Sequence, residues 1–511
     1  MSYPKRLLSI RPRGGIATDT PQWATPPEFF TLGNNLVFRQ GFAERAPSSA
    51  NIYNDPTVAP YAIKNVQISG VNYWVYVGAT ASYVVETSNH TEITHASGQQ
   101  SNTEVHRLSL DLLNGIPFFS NGLDEPMYWD GNVSNNFVDL PGWTATETCG
   151  FMVAHRFHLF AFDISGPSGD FPNQVKWSSA ANPGNVPASW TAAATNEAGD
   201  TVLADTPGEL VSAANLRGSL MIYKNGSTHI ADYVGGEEIY AFRTLFVQSG
   251  ALARHTVADI NGAHFVVTDG DIIITDGQTI KSVAQNKRRR AFFNSIDQTY
   301  YKNTIVKYFR QKNEVWVMYP EAGSERCTRA MIYDLANNAW GDRELLGISN
   351  ADTGIVNDTA ADETWDSDAA VWNADLEVWD QQNFSLATEE LVLADSTNTE
   401  LVQIGTGDES LVSTLRREDL DFDDPVRFKF VKRLHLRVEA ATSIDFLVRI
   451  GKRNATGESI SWNSALTYNS DDGFLNVTIT GRYISIEIAA TTNTTFKITG
   501  IELEAELRGY H

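Results

Sequence analysis

Cysteine is scarce in this sequence, with only Cys149 and Cys327 among 511 residues. Two cysteines so far apart exclude a disulfide-stapled secreted domain. No run of 18 apolar residues occurs, and the first residues lack an apolar core of signal-peptide length. We therefore expect a chain that stays in a cytosol-like compartment and does not insert into a membrane.

Basic residues are also few: 39 Lys and Arg stand against 62 Asp and Glu, for a net charge of −23. Residues 351–430 contain 20 acidic and 4 basic residues, and no Lys or Arg lies between Arg343 and Arg416. A nucleic-acid reader needs cations against phosphate, so the composition disfavours ordinary DNA binding. An acidic surface can still serve DNA by repelling it.

The patterns typical of helices are rare, whereas aromatic and β-branched residues are abundant and favour strands. Two alternating runs, Asn65–Ser69 and Tyr73–Val77, flank a short turn and predict a β-hairpin. Similar strands and turns recur along the chain. One marker per unit gives spacings of 47, 48, 51 and 58 residues; the markers are Asp130, Trp177, Asn225, Asp276 and Asp334.

A drifting period of about 40–50 residues with three or four strands per unit is typical of a β-propeller. An irregular array of sandwiches is the competing interpretation. We predict an all-β fold with four parts: an extended N-terminal arm, a β-propeller, an acidic region with Trp and Leu-Val repeats, and an antiparallel β-sandwich. Their respective ranges are 1–50, 51–350, 351–425 and 426–511.

The sequence offers only weak signals for metal-binding or catalytic residues. His155 and His158 have metal-compatible spacing, but we expect them on opposite faces of one strand. The sequences around Asp366 and Asn373 resemble the start of a calcium loop but lack its later Gly and Glu. No P-loop, Gly-x-Ser-x-Gly or dinucleotide motif occurs, so we predict no catalytic residue, no metal and no cofactor.

Two groups of basic residues are candidates for contact with a neighbouring subunit or an adaptor protein, because they can pair with an acidic partner surface. One is the dense run near the middle of the chain and the other lies in the N-terminal arm. The residues are Lys287, Arg288, Arg289 and Arg290, and Lys5, Arg6, Arg11 and Arg13.

Several turn and aromatic motifs, taken in order, resemble the tail nozzle family of short-tailed bacteriophages, some of whose members are named head or DNA stabilisation proteins. The resemblance begins at Asn114–Pro126, followed by Met-Tyr-Trp-Asp-Gly, and returns at Phe171–Trp177. It continues through Leu216–Lys224, Gly250-Ala251-Leu252, the Asp271–Gly277 hairpin and Gly500–Glu504. It spans most of the chain and is strongest over about 110–340.

The resemblance implies a virion structural protein of the tail, assembled in the host cytoplasm. It implies a homo-hexameric nozzle below the portal and adaptor rings, with a β-propeller in each subunit. Double-stranded DNA would be retained and then conducted through the lumen without specific binding, and a needle, spike or fibres would dock nearby. We expect the lumen to be lined by acidic residues: Asp362, Glu363, Asp366, Asp368, Asp375 and Glu377.

Two other functions stay open from the sequence. One is a receptor-binding tail fibre or tailspike whose propeller recognises host glycans through exposed aromatic side chains. The other is a β-propeller hydrolase, because a pair of catalytic carboxylates cannot be recognised among so many acidic residues. Of the three, the nozzle is the leading prediction, and the chain is predicted not to be an enzyme.

Overall fold

Turn-forming residues divide this chain into short strands, and almost all of its regular structure is β-sheet. The computed structural model describes residues 5–68, 70–236, 238–356 and 389–509. Within these ranges, α-helix is limited to Arg289–Ser295. Short 3-10 helices lie at Gln22–Ala24, Val105–Arg107, Tyr301–Asn303 and Arg310–Lys312. The predicted all-β class is confirmed.

Seven short strands come first and are later shared between two larger bodies. They are β1 (Lys5–Ile10), β2 (Gly15–Ile16), β3 (Phe29–Phe30), β4 (Leu32–Asn34), β5 (Leu36–Arg39), β6 (Phe42–Arg45) and β7 (Ser49–Asn51).

Five four-stranded antiparallel sheets follow, each a meander in which sequential strands pair. The first contains β8 (Ala62–Ile68), β9 (Val71–Val77), β10 (Ser82–Val85) and β11 (His90–Glu92). The second contains β12 (Ser109–Leu113), β13 (Ile116–Ser120), β14 (Met127–Tyr128) and β15 (Val138–Asp139). The third contains β16 (Thr148–His155), β17 (His158–Gly166), β18 (Gly169–Trp177) and β19 (Gly199–Val202). The fourth contains β20 (Leu210–Leu216), β21 (Ser219–Lys224), β22 (Thr228–Tyr233) and β23 (Tyr240–Phe246), and the fifth β24 (Val257–Asp259), β25 (His264–Val267), β26 (Ile272–Thr275) and β27 (Ile280–Ser282).

Two more sheets share one long strand. The sixth contains β28 (Ile305–Phe309), β29 (Glu314–Tyr319), β30 (Cys327–Asp334) and the first half of β31 (Ala339–Ile355). The second half of β31 pairs with β32 (Glu389–Asp395), which pairs with β33 (Glu400–Ile404), which pairs with β7. The seventh sheet is therefore completed by an N-terminal strand.

These sheets are the seven blades of a β-propeller formed by the described residues. The innermost strands contact one another in a closed circle: β8, β12, β16, β20, β24, β28, β31 and again β8. Each adjacent pair of blades encloses its own hydrophobic cluster. In the last of these, Trp74 and Tyr76 of the first blade pack against Val392 of the seventh. Burial of these faces holds the circle closed.

The predicted repeat agrees with this geometry. The inner strands of the first six blades begin at 62, 109, 148, 210, 257 and 305, which gives spacings of 47, 39, 62, 47 and 48 residues. The long spacing arises in the third blade, where an irregular connection separates β18 from β19. Between β12 and β13, Asn114 and Gly115 adopt φ of 55° and 83°, the conformation that a two-residue hairpin turn requires.

The second body is a β-sandwich built from both ends of the chain. Its C-terminal strands are β34 (Leu411–Leu420), β35 (Lys429–Ala440), β36 (Asp445–Arg453), β37 (Ser461–Trp462), β38 (Leu466–Asn469), β39 (Leu475–Gly481), β40 (Tyr483–Thr492) and β41 (Phe496–Leu507). One sheet holds β1, β6, β35, β39 and β41, and the other holds β4, β34, β36, β37, β38 and β40. Side chains such as Leu434 and Leu503 from the first sheet and Val448 and Ile486 from the second form the core between them.

The N-terminal arm is extended, as predicted, but it pairs with its own chain. Strand β1 runs antiparallel to β41 from Lys5↔Glu506 to Ile10↔Ile501. Strands β5 and β6 bridge β31 of the propeller and β41 of the sandwich, so one sheet is continuous through both bodies. Pro12, Pro21, Pro26 and Pro27 lie between the strands of this segment and do not prevent the pairing.

The division at residues 351 and 425 also differs from the structure. Leu391-Val392 and Leu401-Val402 lie in β32 and β33 of the propeller, whereas Leu411-Val412 begins β34 of the sandwich. Three short stretches with the same sequence pattern thus belong to two bodies. Strand pairing with distant partners, which a local repeat does not encode, decides which body each joins.

A matched pair of substitutions tests whether β1 is folded into the single chain. Ile10 is 1% exposed and Leu7 is 63% exposed, so Ile10→Ala should lower the free energy of unfolding by about 2–5 kcal/mol through the cavity it leaves. Leu7→Ala should change it by under about 0.5 kcal/mol. Urea unfolding of the monomer measures both. Equal and small effects would mean that β1 is not packed until subunits assemble.

Candidate functional site

Paired charges join three neighbouring inner strands of the propeller. Asp352 on β31 lies 3.1 Å from the Nζ of Lys307 on β28 and 3.8 Å from the Nζ of Lys64 on β8. Asp352 also accepts a hydrogen bond from the backbone N–H of Asn65. Burial alone would raise the pKa of Asp352, but the two lysines hold it below its usual value.

Polar contacts between neighbouring inner strands continue around the circle. The carboxylate of Asp111 on β12 accepts a hydrogen bond of 2.8 Å from the N–H of Ala154 on β16. Asn215 on β20 donates to the carbonyl of Ala154 at 2.8 Å. Polar side chains therefore link neighbouring inner strands, which also contact one another in a closed circle.

A cavity of about 340 Å³ lies at the end of the circle where these inner strands begin. The beginnings of five successive inner strands line it, through segments near His106, Gly150, Leu210, Arg254 and Lys302. This axial cavity has charged residues of both signs on its wall: Arg107, Asp163, Asp170, Glu209, Arg254, Asp269 and Lys302.

The titratable groups in and beside the axial cavity are shifted by burial. Burial, reinforced by Arg254, lowers the pKa of His106 to about 4 and that of His255 to about 3, so both imidazoles are neutral near pH 7. Burial raises the pKa of Asp163, although Arg254 opposes this effect. It raises the pKa of the Cys149 thiol to about 12, so this thiol stays protonated.

The two histidines weighed as metal ligands lie on the same face, which corrects the prediction that they point apart. A two-residue turn at Arg156 and Phe157 makes His155 and His158 direct cross-strand partners. His158 lies 2.9 Å from the Glu197 carboxylate and 2.8 Å from the Tyr240 hydroxyl, and His155 lies 2.5 Å from the side-chain oxygen of Asn215. These partners position both rings within the packing between blades three and four.

Most residues of the basic run at 287–290 bind other residues of the same chain. Arg288 is 7% exposed and forms an ion pair of 2.6 Å with Asp342, so its assignment as a subunit contact is wrong. Lys287 donates to the carbonyl of Asn338 at 2.6 Å, and Arg289 donates to the carbonyl of Gly270 at 2.6 Å. Arg290 keeps an exposed side chain, and its backbone N–H donates to Asp19.

The basic residues of the arm stay at the surface. Arg11 and Arg13 line one cleft of about 310 Å³ together with Arg437 of β35, which also pairs with Glu502 at 2.6 Å. Sequence reasoning missed Arg437, because only the pairing of β1, β41 and β35 brings it beside the arm. Lys5 is exposed, and Arg6 donates to the carbonyl of Phe422 at 2.5 Å.

The six residues predicted to line the lumen lie outside the part of the chain that the structure describes. All six lie between 357 and 388, outside the described residues, as do the calcium-like clusters around Asp366 and Asn373. Among the residues that are described, no group of three or more His, Cys, Asp or Glu is arranged to hold a metal ion. In the same part of the chain, no helix is both long and apolar enough to cross a membrane.

Comparison with known proteins found no matching family model and no matching curated protein. Solved structures that are similar in part include two bacterial proteins. The extracellular domain of a protein described as a one-component system of B. thetaiotaomicron is 8% identical with a TM-score of 0.37; the match covers 89% of this chain and 58% of that one. PorZ, a surface component of the type-IX secretion system of Porphyromonas gingivalis, is 7% identical with a TM-score of 0.36, over 84% of this chain and 46% of that one. This chain thus spans about half the length of both structures.

Proposed function

We propose that this chain is a structural protein of a bacteriophage tail, which assembles as a hexameric nozzle that retains packaged double-stranded DNA and conducts it during ejection. The observation that carries the proposal is the placement of the nozzle-like motifs. Asn114–Pro126, Leu216–Lys224 and Asp271–Gly277 lie within the second, fourth and fifth blades and include hairpin turns of those blades. The resemblance therefore follows the propeller scaffold.

In the proposed ring, DNA passes between subunits and not along the axis of a propeller. The inner strands contact one another in a closed circle, and the charged side chains of Lys64, Lys307 and Asp352 link three of them. A duplex about 20 Å wide needs a lumen formed by several subunits, with charged walls that act on its phosphates.

The net charge suits a path to which DNA does not adhere. Six copies at −23 each carry −138. A wall within about 10 Å of the duplex is close enough for its negative charges to repel the phosphates despite screening by salt. We propose that the acidic residues predicted for the lumen, Asp362, Glu363, Asp366, Asp368, Asp375 and Glu377, supply part of this wall.

The cleft formed by Arg11, Arg13 and Arg437 is the proposed contact with an acidic surface of the adaptor ring or of a neighbouring subunit. The side chains of Arg11 and Arg13 are exposed, and the cleft carries three guanidinium groups against the single carboxylate of Glu502. Such local excess of positive charge in an acidic chain favours a partner of opposite sign. A needle, spike or fibres would dock elsewhere on the ring.

The mass of the purified protein tests self-assembly. Six copies of the 56.4 kDa chain should give a particle of about 338 kDa by native mass spectrometry. A population that stays monomeric at every concentration, with or without a portal-adaptor ring, would contradict the proposal.

A further inference from the structure

We propose that the axial cavity is a binding site for a neutral polyhydroxylated ligand, namely a sugar residue of a glycan. Its volume of about 340 Å³ lies at the lower end of the range for small-ligand pockets, about 300–1,000 Å³. The proposal rests on the arrangement of Arg254, Asp163 and Gly150, and it does not depend on the nozzle assignment.

The guanidinium group of Arg254 is held in place by the protein on one side only. Its Nη1 donates to the carbonyl of Arg107 at 2.8 Å, and the group stacks over the ring of Phe151 at 5.0 Å. These contacts fix its plane, while its Nη2 points toward the space above Gly150. A preorganised guanidinium is a strong donor to ligand oxygens because little entropy is lost on binding.

Asp163 supplies an acceptor across the same space. Its φ is 57°, at an irregularity of the β17–β18 pairing between Phe162 and Ile164 that places its carboxylate over Gly150. Neither a hydrogen bond nor an ion pair joins this carboxylate to the residues that the structure describes. Asp163 is half-buried and lines the cavity, so its carboxylate can accept a hydrogen bond from a ligand hydroxyl there.

The rest of the wall selects against a ligand with net charge. Lys302 and Glu209 face each other at 3.9 Å, and Asp170 and Asp269 also line the cavity. An anion would meet several carboxylates, whereas a cation would meet Arg254 and Lys302. Adjacent hydroxyl groups can donate to Asp163 and accept from Arg254 without bringing a charge. Vicinal diols of this kind are the recurring feature of sugars.

Gly150, which has no side chain, lets Asp163 lie directly over the backbone beside Arg254. A Cβ atom there would lie 2.5 Å from Oδ2 of Asp163 and 3.0 Å from Nη2 of Arg254. The backbone of Gly150 lies outside the left-handed region, so its conformation is open to alanine, but the added Cβ would also lie 2.9 Å from Cβ of Asp163 and would displace that side chain. Gly473 in the sandwich also lies outside that region, and an added Cβ would meet nothing within 4 Å, which makes Gly473→Ala a matched control.

The test is saturation-transfer NMR and calorimetry on the full chain with galactose, glucose, N-acetylglucosamine and rhamnose. Glycine and inorganic phosphate serve as the charged probes. We expect at least one sugar to bind with a dissociation constant of about 1–10 mM, the range of a single small ligand with few contacts. Gly150→Ala and Asp163→Asn should each weaken it by about tenfold or more, and Gly473→Ala should leave it unchanged.

Three results would overturn the proposal. The first is no binding by any of the four sugars up to about 50 mM, well above the expected constant. The second is sugar binding that survives both Gly150→Ala and Asp163→Asn in folded protein. The third is binding of glycine or phosphate at the cavity in place of the sugars. None of these results depends on whether the chain forms a ring.

Discussion

Replacing Asp352 with Ala is expected to lower the free energy of unfolding by about 2–4 kcal/mol. Loss of one partner of a fully buried ion pair costs about 3–5 kcal/mol because the other charge is left uncompensated. Here two lysines, Lys64 and Lys307, lose the carboxylate, but each is about a quarter exposed, which reduces the cost. Urea unfolding with a fixed m-value measures the change.

The control is Asp170→Ala, which removes an exposed carboxylate and should change the free energy of unfolding by under about 0.5 kcal/mol. If Asp352→Ala were as mild as this control, the charges on the inner strands would not hold the blades together.

The effect of Asp352→Ala should depend on pH in a defined direction. The folded pKa of Asp352 lies below the ordinary value of 3.8, so its stabilising effect is present above that value and is lost as the pH falls through the lower folded pKa. The pKa of Lys64 is raised by Asp352 above 10.5, so its contribution is lost only as the pH rises through that higher value. The difference between wild type and variant should stay constant from about pH 5 to 9 and shrink in stronger acid. A difference that widens in acid would contradict the assigned pairing.

Replacing the six proposed lumen carboxylates with Lys should slow DNA ejection strongly at low salt. Six new cations facing the duplex can each pair with a phosphate, and the resulting attraction falls with salt by a logarithmic slope of about 0.9 per contact. Ejection followed by a DNA-binding dye in the medium should therefore be slow at about 50 mM salt and recover at about 200 mM. The positions are Asp362, Glu363, Asp366, Asp368, Asp375 and Glu377.

An equal change of charge at the propeller surface is the control, made at Glu92, Glu104, Asp139, Asp170, Asp200 and Asp205, all exposed. These variants should eject DNA at the wild-type rate. Similar rates for both sets at low salt would mean that residues 357–388 do not face the DNA.

The local parts of this fold follow from the sequence. Asn114-Gly115 predicts its hairpin because only residues tolerant of positive φ suit such a turn. The alternation in Tyr73–Val77 predicts β9, and turns at Asp130 and Asp276 recur because each carboxylate accepts hydrogen bonds from backbone N–H groups just after it. These signals depend on neighbouring residues alone.

Long-range pairing was beyond sequence reasoning. Nothing near Ser49 indicates that β7 pairs with β33 and completes the seventh blade, or that β31 continues from one blade into the next. The predicted boundary at 351 cuts through β31 for this reason. Closing the circle stabilises these pairs, and no local pattern encodes such a contribution.

For the candidate site, the sequence indicates which kinds of residue are present but not which of them come together. A dense basic run suggests a surface, yet Arg288 turns inward because Asp342 is buried opposite it. Arg254 and Asp163 come from different blades, and only the circular arrangement places both at the mouth of the axis. Their approach to each other beside Gly150 leaves no signature in the sequence.

Electron microscopy of the assembled protein tests the central claim most directly. We expect rings of six subunits with one lumen between them, wide enough for a duplex of about 20 Å whose phosphates the wall repels, and no duplex within the axis of a single propeller. Particles without a common lumen, or a duplex that runs through the axis of a single propeller, would contradict it.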